Sequence, residues 1–253
     1  MRGRRYEKDG DGLFMRVYLD KNVLVSVEDN TYGLTDFLSI TGAEYYYSNA
    51  HICELLNGVD KSIPGLKDKR LSTINAICGN QYLFQDSEFV IRFAKCKPEQ
   101  AYENIRFVNS RQIINAQAKS FAPNRAGIQK ELQLYAKEVG NYLPCEIFKA
   151  IDKQLRKSKC NYSIAKYLLE CEAYTESVKY LTLFNLLDTL GYRKDKDNVA
   201  RLYDSYHAYF AKKCDVLVSD DKKMRVKAEA VYHYFNVNTK VISAKEFLAK
   251  NSK

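Results

Sequence analysis

The chain has 253 residues, of which 40 are Lys or Arg and 31 are Asp or Glu, so its formal net charge is +9. Its content of 46% hydrophobic and 28% charged residues is typical of a globular protein with a sizeable core and excludes a disordered chain. No apolar run approaches the roughly 20 residues of a membrane span, and residues 1–15 are predicted to form a flexible basic tail, not a signal peptide. We therefore expect a cytoplasmic protein with no membrane partner, and its positive charge favours a polyanionic ligand.

Cysteine usage agrees with a reducing compartment. The seven cysteines are odd in number and scattered, none forms a CxxC pair, and the chain has only three histidines. This pattern predicts neither a disulfide framework nor a structural zinc site. We expect reduced thiols that serve as small hydrophobic side chains.

The first two thirds of the chain contain one clear strand and many helical patterns. Residues 17–19 form a short apolar run that predicts a buried strand, and helical spacing starts again from Ser48, a candidate N-cap. Residues 59–196 are predicted to be mostly helical, including the stretches LSTINAICGNQYLF and FVIRFAK, because apolar residues recur at spacings of three and four. The predicted organisation is a core built from 16–58 and 197–253, with 59–196 as a helical cap or arm packed on it.

The last part of the chain predicts helix, strand, helix, strand and helix in that order. Helical spacing covers 198–213 and 222–235, and short apolar runs at 214–219 and 240–243 predict strands. A capping box, Ser243 with Glu246, precedes the last helix. Strands that alternate with helices indicate an α/β fold with a parallel sheet, whose ligands are expected at the carboxyl ends of the strands.

Two of the predicted strands end in carboxylates. The first runs into Asp20, and the second is followed by Asp220 and Asp221. Asp204 lies on the helix before the second strand. From Asp204 to the end of that helix is about 13 Å, and the strand that follows runs back about 16 Å in the opposite direction. This arithmetic predicts that Asp204 and Asp221 meet at one edge of the sheet, where Asp20 joins them if its strand lies alongside. Acids at such positions also serve as helix N-caps, so both roles stay open.

A cluster of carboxylates has a direct use in phosphoryl chemistry. Close carboxylates repel one another, and a bound divalent cation removes that cost. Oxygen ligands without His or Cys partners select Mg²⁺ or Mn²⁺ over zinc. Such an ion orients a water molecule and stabilises charge on a transferring phosphoryl group. A basic protein with an acidic metal pocket is therefore suited to hydrolysing a phosphodiester polyanion.

Three segments resemble parts of the PIN-domain nucleases. VYLDKNVL (17–24) resembles their opening strand with its D-x-N signature, and YYYSNAHICELL (45–56) resembles the helix that supplies their second acid. DSYHAYFAKKCDVLVSDDKKMRVKA (204–228) resembles their closing segment. The resemblance implies a PIN-like three-layer α/β/α fold with a central parallel sheet, here with a large helical insertion. It places the catalytic, metal-binding tetrad of the family on Asp20, Glu54, Asp204 and Asp221.

The resemblance also implies an activity. It predicts an endoribonuclease that uses Mg²⁺ or Mn²⁺ and leaves 5′-phosphate and 3′-hydroxyl ends, with RNA preferred over DNA as the substrate. Asp220 is a candidate additional ligand, and Ser219 stands where the family has Thr. Asn22, Ser219 and His207 are predicted to support the site, although the pattern favours a satisfied core histidine for His207, which lies one turn from Asp204.

Two groups of basic residues are candidate phosphate contacts. Lys149, Lys153, Arg156 and Lys157 have the spacing of one helical face, and Lys222, Lys223, Arg225 and Lys227 follow the acids directly. A solvated face and a surface that tracks phosphates are both compatible with these patterns. The predicted partner is nucleic acid, and a protein regulator or a homo-oligomer stays open.

Alternatives from other classes remain. One is a catalytically silent PIN-like protein that binds nucleic acid or acts as a scaffold, and another is a structure-specific DNA nuclease. A third is a different phosphoryl-transfer fold. The haloacid dehalogenase type would need a second Asp where this chain has Asn22, and the toprim type would need D-x-D where Asp220 and Asp221 are adjacent.

Overall fold

The computed structural model describes residues 14–58, 63–106, 130, 136–157, 163–194 and 198–251. The predicted basic tail therefore lies almost entirely outside the described residues.

A six-stranded sheet forms the centre of the structure. Its strands run in the order β4-β3-β2-β1-β5-β6, and all neighbours are parallel except the antiparallel pair β3 and β4. The strands are β1 (Met15–Leu19), β2 (Ala43–Ser48), β3 (Gln81–Gln85), β4 (Ile91–Lys95), β5 (Val216–Val218) and β6 (Lys240–Ile242). A mostly parallel sheet joined by helices confirms the α/β class.

Helices connect the strands and cover the sheet. Before β5 they are α1 (Lys21–Glu28), α2 (Leu34–Leu38), α3 (Asn49–Gly58), α4 (Leu66–Cys78), α5 (Pro98–Arg106), α6 (Ala136–Val139), α7 (Pro144–Lys157), α8 (Ile164–Glu170), α9 (Glu176–Thr189) and α10 (Asn198–Ala211). After β5 they are α11 (Lys222–Phe235) and α12 (Ala244–Asn251). Within the part of the chain that the structure describes, no helix is both long and apolar enough to cross a membrane.

The two faces of the sheet bury different sets of helices. In β1, Val17 and Leu19 pack with α1, α2, α4 and α12, whereas Tyr18 points to the opposite face with α7 to α11. This alternation follows from the two-residue period of a strand. Helices on both faces of one sheet give three layers, which is compatible with the predicted α/β/α arrangement.

The hairpin formed by β3 and β4 corrects one prediction. Apolar spacing predicts helix for residues 81–84 and 91–95, but they form strands, and β3 pairs in parallel with β2. Short apolar runs do not distinguish strand from helix by periodicity alone, and pairing with β2 decides the outcome here. The sheet therefore draws two of its strands from the segment 59–196.

The C-terminal prediction is confirmed element by element. Strands β5 and β6 alternate with α10, α11 and α12 in the predicted order. The capping box also forms: the Glu246 N–H donates to Ser243 Oγ at 3.2 Å, and Glu246 Oε2 accepts from the Ser243 N–H at 2.9 Å. Local sequence is decisive here because caps and short buried strands are both specified within a few residues.

Candidate functional site

The strand order defines a topological switch point between β1 and β5. From β1 the chain goes first to β2 on one side of the sheet and later to β5 on the other side. Ligand crevices of open α/β sheets form at the carboxyl ends of strands where the order reverses in this way. Asp20 follows β1 at this place and Ser219 follows β5, with the Asp20 N–H donating to Val218 O at 2.8 Å. The predicted position of Asp20 after a buried strand is confirmed, whereas β5 ends at Val218, one residue before the end of the predicted run 214–219.

Asp20 is a buried carboxylate at the centre of this edge. Its exposed fraction is 5%, and its Oδ2 accepts hydrogen bonds from Ser219 Oγ at 2.7 Å and from Asn22 Nδ2 at 2.6 Å. Its Oδ1 accepts from the Lys21 N–H at 2.7 Å, which also caps α1. Burial raises the pKa of Asp20, against the opposing effects of His207 and Ser219. Asn22 and Ser219 thus make the supporting contacts that the sequence predicted.

Glu54 reaches the same edge from α3 through His207. His207 Nε2 lies 3.0 Å from Glu54 Oε2 and 3.8 Å from Asp20 Oδ1. Lys21 Nζ donates to Glu54 Oε1 at 2.9 Å. Burial alone would raise the pKa of Glu54, but His207 and Lys21 outweigh it and lower this pKa to about 2. Glu54 is therefore a carboxylate held between two nitrogen donors.

A tyrosine that the sequence analysis missed lies behind these acids. The Tyr18 hydroxyl is within hydrogen-bond distance of His207 Nδ1 at 2.8 Å and of Ser48 Oγ at 2.7 Å. Desolvation by burial raises the pKa of Tyr18, so the phenol stays protonated. Strand alternation could have found it, because residues two apart in a strand share a face and Tyr18 precedes Asp20 by two.

His51 is a neutral structural residue beside this group. Its Nε2–H donates to Leu19 O at 2.8 Å, and its Nδ1 accepts from the Ser48 N–H at 3.0 Å. Burial and the neighbouring His207 lower the pKa of His51 to about 3. These contacts fix one tautomer and leave His51 no free ring nitrogen for the site.

The three aspartates near α11 have separate partners. Asp221 caps α11 by accepting from the N–H groups of Lys223 and Met224 at 2.7 and 3.1 Å. Asp220 accepts from Tyr32 Oη at 2.9 Å and from the Ala244 N–H at 3.0 Å. Asp204 faces Lys227, whose Nζ lies 3.8 Å from its Oδ2. The capping role that the sequence left open is thus present at Asp221.

Lys227 differs from its basic neighbours on α11. Its exposed fraction is 0%, and its Nζ lies 5.4 Å above the Phe184 ring. Lys227 is therefore not among the members of this basic run that can contact a substrate from solvent. Helical spacing gives the reason, because Lys227 shares its face with the buried residues Met224 and Val231.

The acids have the right chemistry for a hard cation but not a formed metal centre. Among the described residues, no three His, Cys, Asp or Glu side chains are arranged to hold an ion. Carboxylate oxygens of Asp20 and Glu54 approach one nitrogen, His207 Nε2, and oxygen ligands of this type suit Mg²⁺ or Mn²⁺. Lys21 and His207 contact the two carboxylate oxygens of Glu54, which are the atoms that would bind a metal ion.

The two basic groups differ in their distance from the acids. Lys222 is exposed at the start of α11, and Arg225 Nη1 donates to Ser219 O at 2.5 Å. The basic residues of α7 are also exposed, as predicted: Lys149, Lys153, Arg156 and Lys157. However, Phe148 packs on Tyr234 near the other end of α11, with 5.2 Å between the ring centroids. Lys149 therefore lies towards the end of α11 opposite Asp221, about 20 Å away along the helix.

This difference predicts unequal effects on nucleic-acid binding. Lys222→Ala should weaken binding of single-stranded RNA and reduce the slope of log K against log salt by about 0.7, the value for one phosphate contact. Lys149→Ala, the matched control on α7, should change the slope less. Fluorescence titrations at several salt concentrations measure both slopes. Equal slopes for the two variants would show that the phosphate path is not centred on α11.

Comparison of the chain with models of known protein families, with curated proteins and with solved structures finds no match. The resemblance to PIN-domain nucleases therefore rests on the sequence motifs and stays a prediction. The described geometry stands independently of it: a buried acid at the switch point of a parallel sheet, with a second acid beside it.

Proposed function

We propose that the protein is a metal-dependent phosphodiesterase, a PIN-like endoribonuclease that hydrolyses RNA to 5′-phosphate and 3′-hydroxyl ends. The observation that carries this proposal is the position of Asp20. A carboxylate with 5% exposure, at the switch point and within 3.8 Å of the nitrogen that binds Glu54, is costly to keep without a function.

Several residues have defined tasks under this proposal. Asp20 and Glu54 would hold Mg²⁺ or Mn²⁺, with Asp204, Asp221 and Asp220 as further candidates, and the ion would lower the pKa of a water and offset phosphoryl charge. Ser219 and Asn22 fix Asp20 by donating to its Oδ2. His207 orients Glu54, and Lys222 attracts the phosphate backbone towards the edge of the sheet.

A cleavage assay tests the activity directly. Labelled single-stranded RNA, single-stranded DNA and branched DNA are incubated with Mg²⁺ or Mn²⁺, and a parallel series contains EDTA. We expect cleavage of RNA that requires the metal and leaves 5′-phosphate ends. Preferential cleavage of branched DNA would favour the structure-specific DNA nuclease instead. Cleavage that persists in EDTA would contradict the metal-dependent mechanism.

A second candidate is a catalytically silent nucleic-acid-binding protein. The observation that favours it is the presence of protein cations at two of the four acids: Lys21 Nζ contacts Glu54 and Lys227 Nζ faces Asp204. An ammonium group can neutralise a carboxylate in the place of a metal ion. Strong RNA binding without turnover and without metal dependence would support this candidate.

The variant Lys227→Met tests whether the buried Lys227 ammonium takes the place of a metal ion beside Asp204. The variant removes the charge that faces Asp204, and because Asp204 is 19% exposed we expect the free energy of unfolding to fall by less than the about 3–5 kcal/mol of a fully buried pair. If Lys227 stands in for a cation, Mn²⁺ should raise the Tm of this variant more than that of the wild type. Thermal unfolding with and without Mn²⁺ measures both effects. The control is Lys222→Met, on the exposed face of the same helix, which should behave as the wild type.

A further inference from the structure

The edge strand β4 has a row of backbone groups that lack a partner in the part of the chain that the structure describes. β4 is the last strand in the order of the sheet, and β3 is its neighbour. Alternate residues of an antiparallel strand turn their N–H and C=O groups to the neighbour, and the Cys96 N–H donates to Asn80 O at 2.8 Å, so the even-numbered residues face β3. The N–H and C=O groups of Ile91, Phe93 and Lys95 therefore point away from the sheet, where a further strand can pair with them.

Apolar side chains are exposed along the same strand and the turn before it. Phe89, Val90 and Phe93 have exposed fractions of 56%, 38% and 43%. Phe89 also has a φ of +61°, a left-handed conformation that costs free energy for a bulky residue. Edge strands of monomeric proteins are usually protected by charges, prolines or a covering element. An exposed apolar run beside an open strand edge therefore indicates an interaction surface.

The charges along this segment make it complementary to a second copy of itself. Acids lie before the middle of β4 and bases lie after it: Asp86 and Glu88, then Lys95 and Lys97. Arg92, in the middle, is paired with Asp86, with 2.7 Å between Nε and Oδ2. When two such strands run antiparallel, the acidic end of each meets the basic end of the other, whereas a parallel arrangement brings like charges together.

We propose that β4 pairs in antiparallel fashion with β4 of a second copy of this chain, on a two-fold axis at Phe93. Phe93 then lies opposite its own counterpart, and Ile91 lies opposite Lys95, so the outward backbone groups form a ladder of hydrogen bonds. The two sheets become one continuous sheet, and the exposed Phe93 rings meet at the axis. Glu88 of each copy lies beside Lys97 of the other.

The size of the interface sets its strength. Two paired strands of 5 residues bury less than the roughly 1,200–2,000 Å² of a stable complex, so we expect a Kd on the order of 10 µM. The interface lies three strands away from β1, about 14 Å across the sheet, and leaves the edge at Asp20 open. The inference is therefore independent of the proposed nuclease activity.

Sedimentation velocity of the full chain, from about 1 to about 300 µM, tests the assembly. We expect the average mass to rise from that of one chain to that of two. Phe93→Lys places like charges on the axis and should weaken self-association at least about tenfold. Leu169→Lys, the matched change at an exposed apolar residue on α8, should not. A wild-type chain that stays monomeric over this range, or association that is unchanged in folded Phe93→Lys protein, would overturn the proposal.

Charge reversal tests the antiparallel arrangement without touching Phe93. Glu88→Lys and Lys97→Glu each place like charges across the interface, and each should weaken self-association about tenfold. The double variant restores opposite charges and should recover the wild-type Kd to within about twofold. Thermal unfolding checks that each variant folds. A double variant that associates as weakly as the two single variants would overturn the proposed pairing.

Discussion

Replacing Asp20 with Asn should reduce metal-dependent cleavage by a factor of at least about 10³ while the protein remains folded. Asn keeps the shape of the side chain and one oxygen for the Lys21 N–H, but it loses the charge that would hold the ion. The amide also cannot accept from both Ser219 and Asn22 in the way that the Asp20 oxygen does now. Single-turnover cleavage rates at saturating Mn²⁺ measure the loss.

The same substitution should change stability at neutral pH only slightly, because the ionisation cost that it removes offsets the hydrogen bond to Asp20 Oδ2 that it loses. Burial raises the pKa of Asp20 above its ordinary value of 3.8, so the folded state binds the proton more tightly than the unfolded state does. Ionisation of Asp20 therefore lowers stability as the pH rises from about that value through the raised folded pKa, and its full cost is present above both. The neutral amide of the Asp20→Asn variant would carry no such cost. Thermal unfolding at a series of pH values measures the difference.

These two results together distinguish a functional acid from a structural one. A structural acid would lose stability when it is replaced, whereas an acid kept for function shows lost activity with retained or increased stability. Asp29→Asn is the control, because Asp29 is exposed just beyond α1 and lies outside the site. Cleavage at the wild-type rate by folded Asp20→Asn protein would contradict the proposed mechanism.

The second large effect should come from the buried ion pair that joins α9 to α10. Arg201 Nη1 lies 3.0 Å from Asp188 Oδ2, and the two side chains have exposed fractions of 1% and 0%. Removing one partner leaves a buried charge without this neutralisation, so Arg201→Met should cost about 3–5 kcal/mol in the free energy of unfolding. The expected fall in Tm is roughly 10 °C for a protein of this size.

A double variant supplies the control for this pair. Arg201→Met combined with Asp188→Leu replaces both charges with apolar side chains and should be more stable than either single variant. If the single variants and the double variant lose stability additively, the two side chains do not act as a pair. The pair also concerns the site, because α10 carries both Asp204 and His207. Double variants that recover stability should therefore recover the RNA cleavage that is proposed.

Several features of the fold could be predicted because their causes are local. The C-terminal order of helices and strands follows from apolar spacing, and Ser243 with Glu246 specifies a cap within four residues. The position of Asp20 directly after β1 follows from the same logic, since the apolar run that predicts the strand ends at Leu19. The prediction of helix is wrong for the hairpin β3–β4 because its strands depend on β2, which is distant in sequence.

The site likewise combines contacts that the sequence predicts with contacts that only the fold creates. The sequence predicts which acids lie near the carboxyl ends of the strands, and Asn22 and Ser219 contact Asp20 as expected. It does not indicate that Tyr18 joins His207 behind the acids, although strand alternation places Tyr18 on the same side as Asp20. It also does not indicate that Lys227 is buried opposite Asp204, because a basic run looks solvated until its helix has a partner.

By itself, the sequence determined the α/β class, the C-terminal elements and the acids at two strand ends, since each depends on residues close together in the chain. Only the tertiary structure decided which charges neutralise which acids. That pairing depends on side chains from α1, α3, α10 and α11, and on a burial that no local pattern encodes. The fold also separates the basic residues that give the chain its net positive charge. Those on α7 and at the start of α11 are exposed to solvent, whereas Lys227 is buried and faces Asp204.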